Sequence, residues 1–346
     1  MESDVLIIGS GPAGMSAAFF LSKNRDLRIT VIERLSDPQY QRYHRICGGG
    51  ISKMAFKELK GMKPSGILNE FSRTRLVWPD GTEIIMRTPG YILDRLTFLS
   101  DLKDVCKSRG VSFIKGTVTD ISYDEKYIIT ASSGDRFSSH WLIGADGCHS
   151  IVRKRLFGSN PVRMIPATEF TVSGKAVDDL EIRICSDGSG TYTWRFPHGN
   201  DTGTGGTKGY SEDEYVMKGS RMIPIGGVGR IVSGRAMLIG DAAAIANPIS
   251  FGGIRSALTS GKKAAESILS EKPEKLQRWW DSSILSDRRF MECNETLRKW
   301  SEEEMVDAVR PFRHGGIILP GIWACISRPR NIRMYFGCLF AFMYGW

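Results

Sequence analysis

Three glycines near the start of the chain have the spacing of a phosphate-binding turn. Gly9, Gly11 and Gly14 form a GxGxxG pattern directly after the apolar run Val5–Ile8. In this pattern the first glycine permits a tight turn, the second lets the backbone approach a pyrophosphate, and the third lets a helix pack closely on the strand. Glu33 closes the next apolar run, where a carboxylate accepts hydrogen bonds from ribose hydroxyls. The pattern predicts a dinucleotide site, and it does not distinguish FAD from NAD.

The elements that position this turn form a strand–helix–strand unit. Asp4–Gly9 and Arg28–Glu33 predict two strands, and the apolar stretch between them predicts a helix that ends at about Lys23. Continuous apolar runs are typical of parallel strands that are buried on both faces. Farther along, Leu93–Arg109 has helical apolar spacing and Val111–Ile114 predicts another strand.

Other segments predict a different architecture. Arg73–Arg87, which contains the turn Pro79-Asp80-Gly81, has a hairpin pattern, and Phe170–Tyr210 contains short strands and many glycines. Ala236–Gly240 again predicts a buried strand, followed by a helix at Gly252–Leu269 and by the charged helical region Glu274–Val309. We therefore expect an antiparallel domain that is inserted into the first domain.

The composition is that of a globular protein. The 346 residues are 41% hydrophobic and 25% charged, which excludes a disordered or fibrous chain. The formal net charge of +9 indicates anionic partners such as phosphates or lipid headgroups. No nucleic-acid motif occurs, so nucleic-acid binding is the weakest explanation of the charge. Arg42, His44 and Arg45 either meet a lipid phosphate or form a solvated basic loop.

The cysteines and the apolar segments indicate the cellular compartment of the protein. The seven cysteines form no CxxC pair and are odd in number, so we expect no metal site and a reduced compartment. No run reaches the roughly 18 apolar residues of a membrane-spanning helix. The first residues lead straight into a strand, without the features of a signal peptide. These features predict a cytoplasmic protein.

Two later motifs narrow the choice of cofactor. GADGCHSIVR at 144–153 and GDAA at 240–243, together with Arg95, resemble the paired motifs of the p-hydroxybenzoate hydroxylase superfamily of flavoproteins. The resemblance implies FAD, with Asp241 on the ribityl hydroxyls. A helix that starts near Gly252 would point its positive end at the flavin.

The glycine motif and the resemblance together assign the cofactor site to residues from much of the chain. They are Gly9, Gly11, Ala13, Gly14, Glu33, Arg34, Cys47, Gly48, Gly50, Arg95, Val118, Asp146, Asp241, Pro248, Gly252, Gly253 and Ile254.

Two further segments resemble the geranylgeranyl reductase family. RICGGGIS at 45–52 is similar to the family's CxxG segment beside the flavin, and YTWRFP at 192–197 is similar to its YxWxFP segment in an isoprenoid pocket. The resemblance implies saturation of C=C bonds in geranylgeranyl chains of archaeal-type membrane lipids. Hydride would come from flavin N5, together with a proton. The sequence departs from the family at Thr191, where glycine is usual, and at the glycine run 203–206.

An isoprenoid chain has no polar groups, so its recognition needs apolar walls. The resemblance assigns substrate binding to Tyr192, Trp194, Phe196 and Pro197. The alternative is that these side chains are only the core of the antiparallel domain. Cys47 is the candidate catalytic residue, as proton donor or as a group that sets the flavin–alkene geometry. Its alternative is a small buried cysteine.

The predicted fold class is α/β, or α+β over the whole chain. We expect a discontinuous Rossmann-like FAD-binding domain at 1–60, 95–158 and 228–272. An antiparallel substrate domain is expected at 61–94 and 159–227, followed by a helical C-terminal region at 273–346.

The C-terminal region combines arginines with apolar runs. Residues 308–346 contain five arginines and no acidic residue, and Gly315–Ile326 and Met334–Trp346 flank Arg328 and Arg330. Each run is too short to span a bilayer. An in-plane contact with anionic headgroups is predicted, peripheral to the cytoplasmic face of the membrane. The alternative is a helix pair that packs on the flavin domain or lines the pocket.

Three other functions stay open. One is a monooxygenase or a halogenase of the same superfamily, for which Lys53 or Lys57 is the candidate lysine. Another is a quinone-reducing electron-transfer flavoprotein, although the chain has no four-cysteine cluster pattern. The third is a non-catalytic, membrane-associated flavoprotein. No second GxGxxG follows a predicted strand, so the electron donor is left as NADPH or a ferredoxin.

Overall fold

The computed structural model describes residues 1–161, 163–174, 177–207 and 210–345. Within these ranges the strands are β1 (Glu2–Ile8), β2 (Ile29–Glu33), β3 (Gly50–Ser52), β4 (Ile67–Val77), β5 (Glu83–Leu93), β6 (Ser112–Lys115), β7 (Val118–Asp124), β8 (Lys126–Ala131), β9 (Arg136–Gly144), β10 (Arg163–Val172), β11 (Leu180–Ile184), β12 (Tyr192–His198), β13 (Asp201–Gly206), β14 (Met217–Ile225), β15 (Val232–Ser233) and β16 (Ala236–Leu238). The helices are α1 (Pro12–Leu21), α2 (Asp37–Arg45), α3 (Lys53–Glu58), α4 (Arg95–Ser108), α5 (Ile151–Leu156), α6 (Ile254–Leu269), α7 (Glu274–Ser282), α8 (Arg288–Lys299), α9 (Glu302–Val309), α10 (Ile318–Ser327) and α11 (Ile332–Tyr344).

The first sheet carries the nucleotide turn. Its order is β15-β16-β9-β1-β2-β6, and the β7–β8 hairpin joins it at β9. Strands β16, β9, β1, β2 and β6 run parallel. Val5, Leu6 and Ile7 are fully buried, because helices cover the sheet. A Cβ at Gly261 would lie 2.5 Å from the carbonyl oxygen of Ala13, so α6 packs backbone against backbone on α1.

The second sheet has the order β14-β10-β13-β12-β11-β4-β5-β3. Its pairs are antiparallel except for β11 with β4. The short strand β3 directly follows residues 47–49 and pairs with β5. These residues are therefore held at the edge of the second sheet. Apolar side chains of this sheet, among them Ile182 and Trp194, form one buried cluster with Phe290, Met305 and Phe342 from the C-terminal helices.

The C-terminal region is divided into short helices. The predicted helical region Glu274–Val309 forms α7, α8 and α9, because Asp287 and Ser301 each cap a new helix start through their side chains. In the described part of the chain, no helix is long and apolar enough to cross a membrane. Trp346, at the end of the second predicted apolar run, lies outside the described residues.

The two apolar runs have different environments. Helix α11 packs on α8 and on the second sheet, with Met334, Gly337 and Phe342 buried. Helix α10 is exposed along one side. The two runs therefore differ in burial: α11 is packed, and α10 is largely exposed.

Candidate active site

A cavity of about 420 Å³ is lined by residues of both sheets. It collects most of the residues that the sequence assigned to cofactor and substrate. Those that line it are Gly9, Gly11, Ala13, Glu33, Arg34, Cys47, Gly48, Gly50, Arg95, Val118, Asp146, Tyr192, Trp194, Phe196, Asp241, Gly252, Gly253 and Ile254. Gly14, Pro197 and Pro248 are described residues outside this lining. Residues from distant parts of the sequence therefore share one chamber.

The glycine turn has the geometry that its spacing predicts. Gly9 has a φ of +100°, and a Cβ there would collide with the Ala145 carbonyl. A Cβ at Gly14 would collide with the carbonyl oxygen of Gly9, so the close packing of the helix on the turn requires glycine at position 14. A Cβ at Gly11 would meet only the His44 ring, at 3.8 Å. The space beside Gly11, at the start of α1, is open to a phosphate group.

Glu33 holds the same turn from the end of β2. Its carboxylate accepts hydrogen bonds from the backbone N–H of Ser10 at 2.9 Å and from the Ser10 hydroxyl at 2.8 Å. The other oxygen accepts from the backbone of Leu35 at 2.9 Å. Each carboxylate oxygen has two lone pairs. Glu33 therefore orders the turn and keeps acceptor capacity towards the cavity, where the sequence predicted a ribose contact.

The GADG segment presents an unpaired acceptor. One oxygen of Asp146 accepts from the backbone N–H groups of Ile151 at 2.7 Å and Val152 at 3.3 Å. The other oxygen, Oδ1, is buried and has no hydrogen-bond partner among the described residues. Burial raises the pKa of Asp146 above its ordinary value. Since buried polar atoms are nearly always paired, this oxygen indicates a missing polar ligand.

Two other cavity residues have unpaired buried nitrogens. Nδ1 of His44 and Nε1 of Trp194 lack a partner within the described ranges. Asp241 is half-buried and lines the same chamber. Desolvation there raises the pKa of its carboxyl, while Arg221, Arg95 and Arg153 lower it. An open glycine turn, free acceptors and free donors in one chamber fit a dinucleotide with a polar ring system such as FAD.

Two arginines, the buried Arg95 and the half-buried Arg221, organise the segment that precedes Cys47. Arg95 donates to the carbonyl oxygens of Tyr43 at 2.9 Å and Ile46 at 3.3 Å. Arg221 donates to the same two oxygens, at 3.3 Å to Tyr43. The sequence predicted Arg95 as a cofactor contact, and in the structure it lines the cavity while its guanidinium holds this segment.

The CGGG segment (residues 47–50) lies beside the aromatic segment (residues 192–197). A Cβ at Gly49, where φ is +65°, would collide with the carbonyl oxygen of Leu93, so glycine is required there. A Cβ at Gly48 would lie 3.0 Å from the ring of Phe196 and 3.8 Å from Nε1 of Trp194. Cys47 is half-buried and lines the cavity beside them.

The aromatic wall belongs to both the core and the cavity. Tyr192, Trp194 and Phe196 alternate along β12, so they point to one face. The Tyr192 hydroxyl donates to the carbonyl oxygen of Ser250, and its ring stacks on Phe251 with centroids 5.2 Å apart. All three side chains belong to the buried cluster and also line the chamber. These side chains are therefore part of the core and also form a wall of the cavity.

The predicted basic loop is the last turn of helix α2, and its residues and the candidate lysines lie in different places. Arg42 and Arg45 are exposed, whereas His44 is buried in the cavity wall. Burial, and then Arg95 and Arg221, lower the pKa of His44 to about 2. Lys53 pairs with Glu70. Lys53 and Lys57 are both outside the residues that line the cavity.

Sequence reasoning missed several lining residues. Five lie on β10 and β14 of the second sheet, and Phe251 lies in the loop before α6; the five are Ala167, Glu169, Gly219, Arg221 and Ile223. One signal was present: Glu169 is an acidic residue in the mostly apolar strand β10. A buried carboxylate is rare without a structural or chemical reason. The partners of Glu169 depend on strand pairing, which the sequence does not reveal.

Comparisons with known proteins test the resemblance to the geranylgeranyl reductases. The Thi4 family model matches residues 1–53. The chain is 25% identical to digeranylgeranylglycerophospholipid reductase 1 of Methanococcoides burtonii, across 88% of this chain and 86% of the relative. The predicted resemblance is confirmed. The chain is an FAD-dependent oxidoreductase similar to the geranylgeranyl reductases.

Solved structures confirm the fold. A geranylgeranyl bacteriochlorophyll reductase-like protein of Thermoplasma acidophilum has a TM-score of 0.77 at 20% identity, and the match covers 96% of this chain and 97% of the other. PqsL, a probable FAD-dependent monooxygenase of Pseudomonas aeruginosa, has a TM-score of 0.66 at 14% identity, covering 88% and 98%. The predicted α/β class with a Rossmann-like flavoprotein domain is therefore confirmed.

Proposed function

We propose that this protein saturates the C=C bonds of geranylgeranyl chains in prenylated membrane lipids. The observation that carries the proposal is the contact between the CGGG segment and the aromatic wall. Gly48 packs against Phe196 and lies close to Trp194, inside the chamber that the glycine turn also lines. An apolar chain on this wall would lie beside the cofactor. The reductases named among the relatives support the same substrate class.

The chain's own residues bind, orient and exclude water. When bound, FAD supplies the hydride for the reduction, and the protein supplies position and a dry pocket. Tyr192 is fixed by its hydrogen bond to Ser250 and by stacking on Phe251, so the wall is rigid. The absence of a side chain at Gly48 lets this backbone pack directly against the ring of Phe196. Cys47 lines the same chamber, and we propose that it contacts the alkene or sets its geometry.

We also propose that α10 rests on an anionic membrane surface. Ile318 and Leu319 are each 78% exposed, and Trp323 is 60% exposed. Such apolar residues on one helix, in a chain of net charge +9, suit an in-plane contact with headgroups. Residues of α10 also line an apolar cavity of about 530 Å³ together with Trp78 and Met86. This cavity is suited to an apolar chain near the proposed membrane surface.

Four of the five C-terminal arginines are already in ion pairs. Arg310 and Arg328 pair with Asp307, Arg313 pairs with Asp80, and Arg333 pairs with Glu292. Their positive charge is therefore partly compensated. The apolar face of α10, more than the arginines, carries the proposed membrane contact.

A direct test reduces the purified holoenzyme with dithionite under anaerobic conditions. Geranylgeranylated glycerophospholipid in vesicles is then added, and flavin reoxidation and product mass are followed. Oxygen-free reoxidation with mass gained in steps of two hydrogens supports the proposal. Trp194→Ala is expected to raise KM more than it lowers kcat, because the wall binds the chain. Reoxidation that requires oxygen, with an oxygenated product, would replace the proposal with a monooxygenase.

The electron donor is tested separately. Oxidised holoenzyme is mixed with NADPH or with reduced ferredoxin, and the rate of flavin reduction is measured for each. The donor that reduces the flavin within the time of one turnover is the physiological class. A chain that binds FAD but reduces no alkene with either donor would be a non-catalytic flavoprotein.

A further inference from the structure

One row of residues crosses the second sheet at the cavity. Glu169 on β10 is in register with Gly205 of β13 on one side and with Gly219 of β14 on the other. Gly205 is in turn opposite Trp194 on β12. Directly opposed residues in a sheet point to the same face. Glu169 and Trp194 therefore stand on one face, with glycine between them.

The two glycines bring larger groups close to Glu169. A Cβ at Gly205 would collide with the indole of Trp194, so this ring lies over Gly205. A Cβ at Gly219 would lie 3.0 Å from Ile46, the residue before Cys47. Glu169 lies between these two glycines in the sheet, and it is 8% exposed. It lines the cavity together with Cys47 and Trp194.

Charged groups from two elements act on Glu169: Arg221 from β14 and Arg95 from α4. Tyr43, His44, Cys47 and Asp241 line the same cavity. Nε2 of His198 lies 3.4 Å from the carbonyl oxygen of Gly48. Burial raises the pKa of Glu169 to about 7, although Arg221, Arg95 and the backbone hydrogen bond of Gly48 lower it. Both protonation states are therefore accessible near neutral pH, as acid–base catalysis requires.

We propose that Glu169 is the acid that delivers the proton in alkene reduction, and that Arg221 and Arg95 stabilise the carboxylate left behind. This inference rests on the proposed function. Hydride forms a C–H bond at one alkene carbon. The electron pair of the broken π bond forms the second C–H bond with the Glu169 proton. The O–H pair stays on the carboxylate, and solvent returns a proton. The alkene gains two electrons and the reduced flavin loses two.

The test compares three forms of the reduced holoenzyme in anaerobic single turnover with geranylgeranylated glycerophospholipid. Wild type is expected to slow as the pH rises through about 7, because the acid loses its proton. Glu169→Gln is expected to lose about 100-fold or more in rate, together with this pH dependence. Glu181→Gln is the matched control, because Glu181 is a 7% exposed carboxylate of the same sheet that pairs with Arg75 outside the cavity. It is expected to keep the wild-type rate and pH profile.

A second readout does not depend on turnover. Infrared difference spectra of the oxidised holoenzyme are expected to show a protonated carboxyl that titrates near neutral pH in wild type and in Glu181→Gln, and that is missing in Glu169→Gln. FAD content and melting temperature verify that each variant is folded. A folded Glu169→Gln variant with the wild-type rate and pH profile would overturn the proposal, and Cys47→Ala would then test the other candidate donor.

Failure of the proposed function gives a different result. In that case wild type itself reduces no prenyl chain, whatever residue stands at 169. Proton delivery to an alkene then fails together with the function, and the infrared titration decides only the protonation of Glu169. A carboxyl that titrates near neutral pH and disappears in Glu169→Gln leaves Glu169 as an acid for another substrate, and a carboxylate that is ionised throughout overturns that too.

Discussion

The guanidinium of Arg153 donates to the carbonyl oxygen of Ala242 at 2.8 Å, across 89 positions of the sequence. A second donation, to the carbonyl oxygen of Cys148, measures 2.7 Å. Arg153 is 2% exposed and lies between the GADG and GDAA segments. The two flavoprotein motifs are therefore joined by one buried side chain, and the position of Asp241 relative to Asp146 depends on it.

Arg153→Met is expected to lower the free energy of unfolding by about 3 kcal/mol, because two buried carbonyl oxygens lose their donor. It is also expected to weaken FAD binding. Denaturant unfolding and FAD titration measure the two effects. Arg155→Met, on the same helix, is the control: Arg155 is 53% exposed and pairs with Asp120, so we expect a change within about 0.5 kcal/mol. Equal effects of the two substitutions would contradict the assignment.

Gly14→Ala is expected to yield protein that carries little FAD, because the new Cβ collides with the carbonyl of Gly9 and displaces the phosphate turn. The measurement is flavin absorbance per polypeptide after purification, with melting temperature as the check on folding. Gly229→Ala serves for comparison, since no described atom lies within 4 Å of its Cβ position. Full FAD occupancy in a folded Gly14→Ala protein would show that the turn tolerates the methyl group.

Stability is expected to fall in acid because of His44. Burial and the neighbouring Arg95 and Arg221 lower its pKa in the folded protein from 6.5 to about 2. Below pH 6.5 the unfolded chain binds a proton that the folded chain excludes, so the loss is about 1.4 kcal/mol for each further pH unit.

Unfolding of the FAD-saturated protein, measured from pH 7 down to about pH 5, checks this contribution. The free energy of unfolding of His44→Gln is expected to fall less steeply with decreasing pH than that of wild type. The control His314→Gln, at an exposed histidine, is expected to fall as wild type does. Identical slopes for wild type and His44→Gln would assign the acid sensitivity to other groups.

The double variant Ile322→Glu/Trp323→Glu is expected to bind vesicles of phosphatidylglycerol at least about tenfold more weakly than wild type, since burying each side chain contributes about 1.5–3 kcal/mol. Co-sedimentation measures the bound fraction. Tyr123→Glu removes an aromatic residue that is 63% exposed on β7, and it should bind as wild type does. Unchanged sedimentation of the α10 variant would move the membrane contact elsewhere.

Much of the fold could be predicted from local patterns. The strand–turn–helix unit around Gly9 follows from continuous apolar runs and from the GxGxxG spacing of Gly9, Gly11 and Gly14. The alternation of Tyr192, Trp194 and Phe196 places these rings on one face of a strand wherever that strand pairs. Such features depend on neighbouring residues, and the sequence alone determines them.

Only the tertiary structure decided which distant groups meet. Glu169 acquires Arg221 and Trp194 as neighbours through the pairing of β10, β13 and β14. The similar apolar runs of α10 and α11 have different burial, because α11 fills the space beside α8 and leaves α10 outside. The physical reason is that register and packing are set by contacts between residues far apart in the chain, and hydrophobic burial is non-directional until those contacts form.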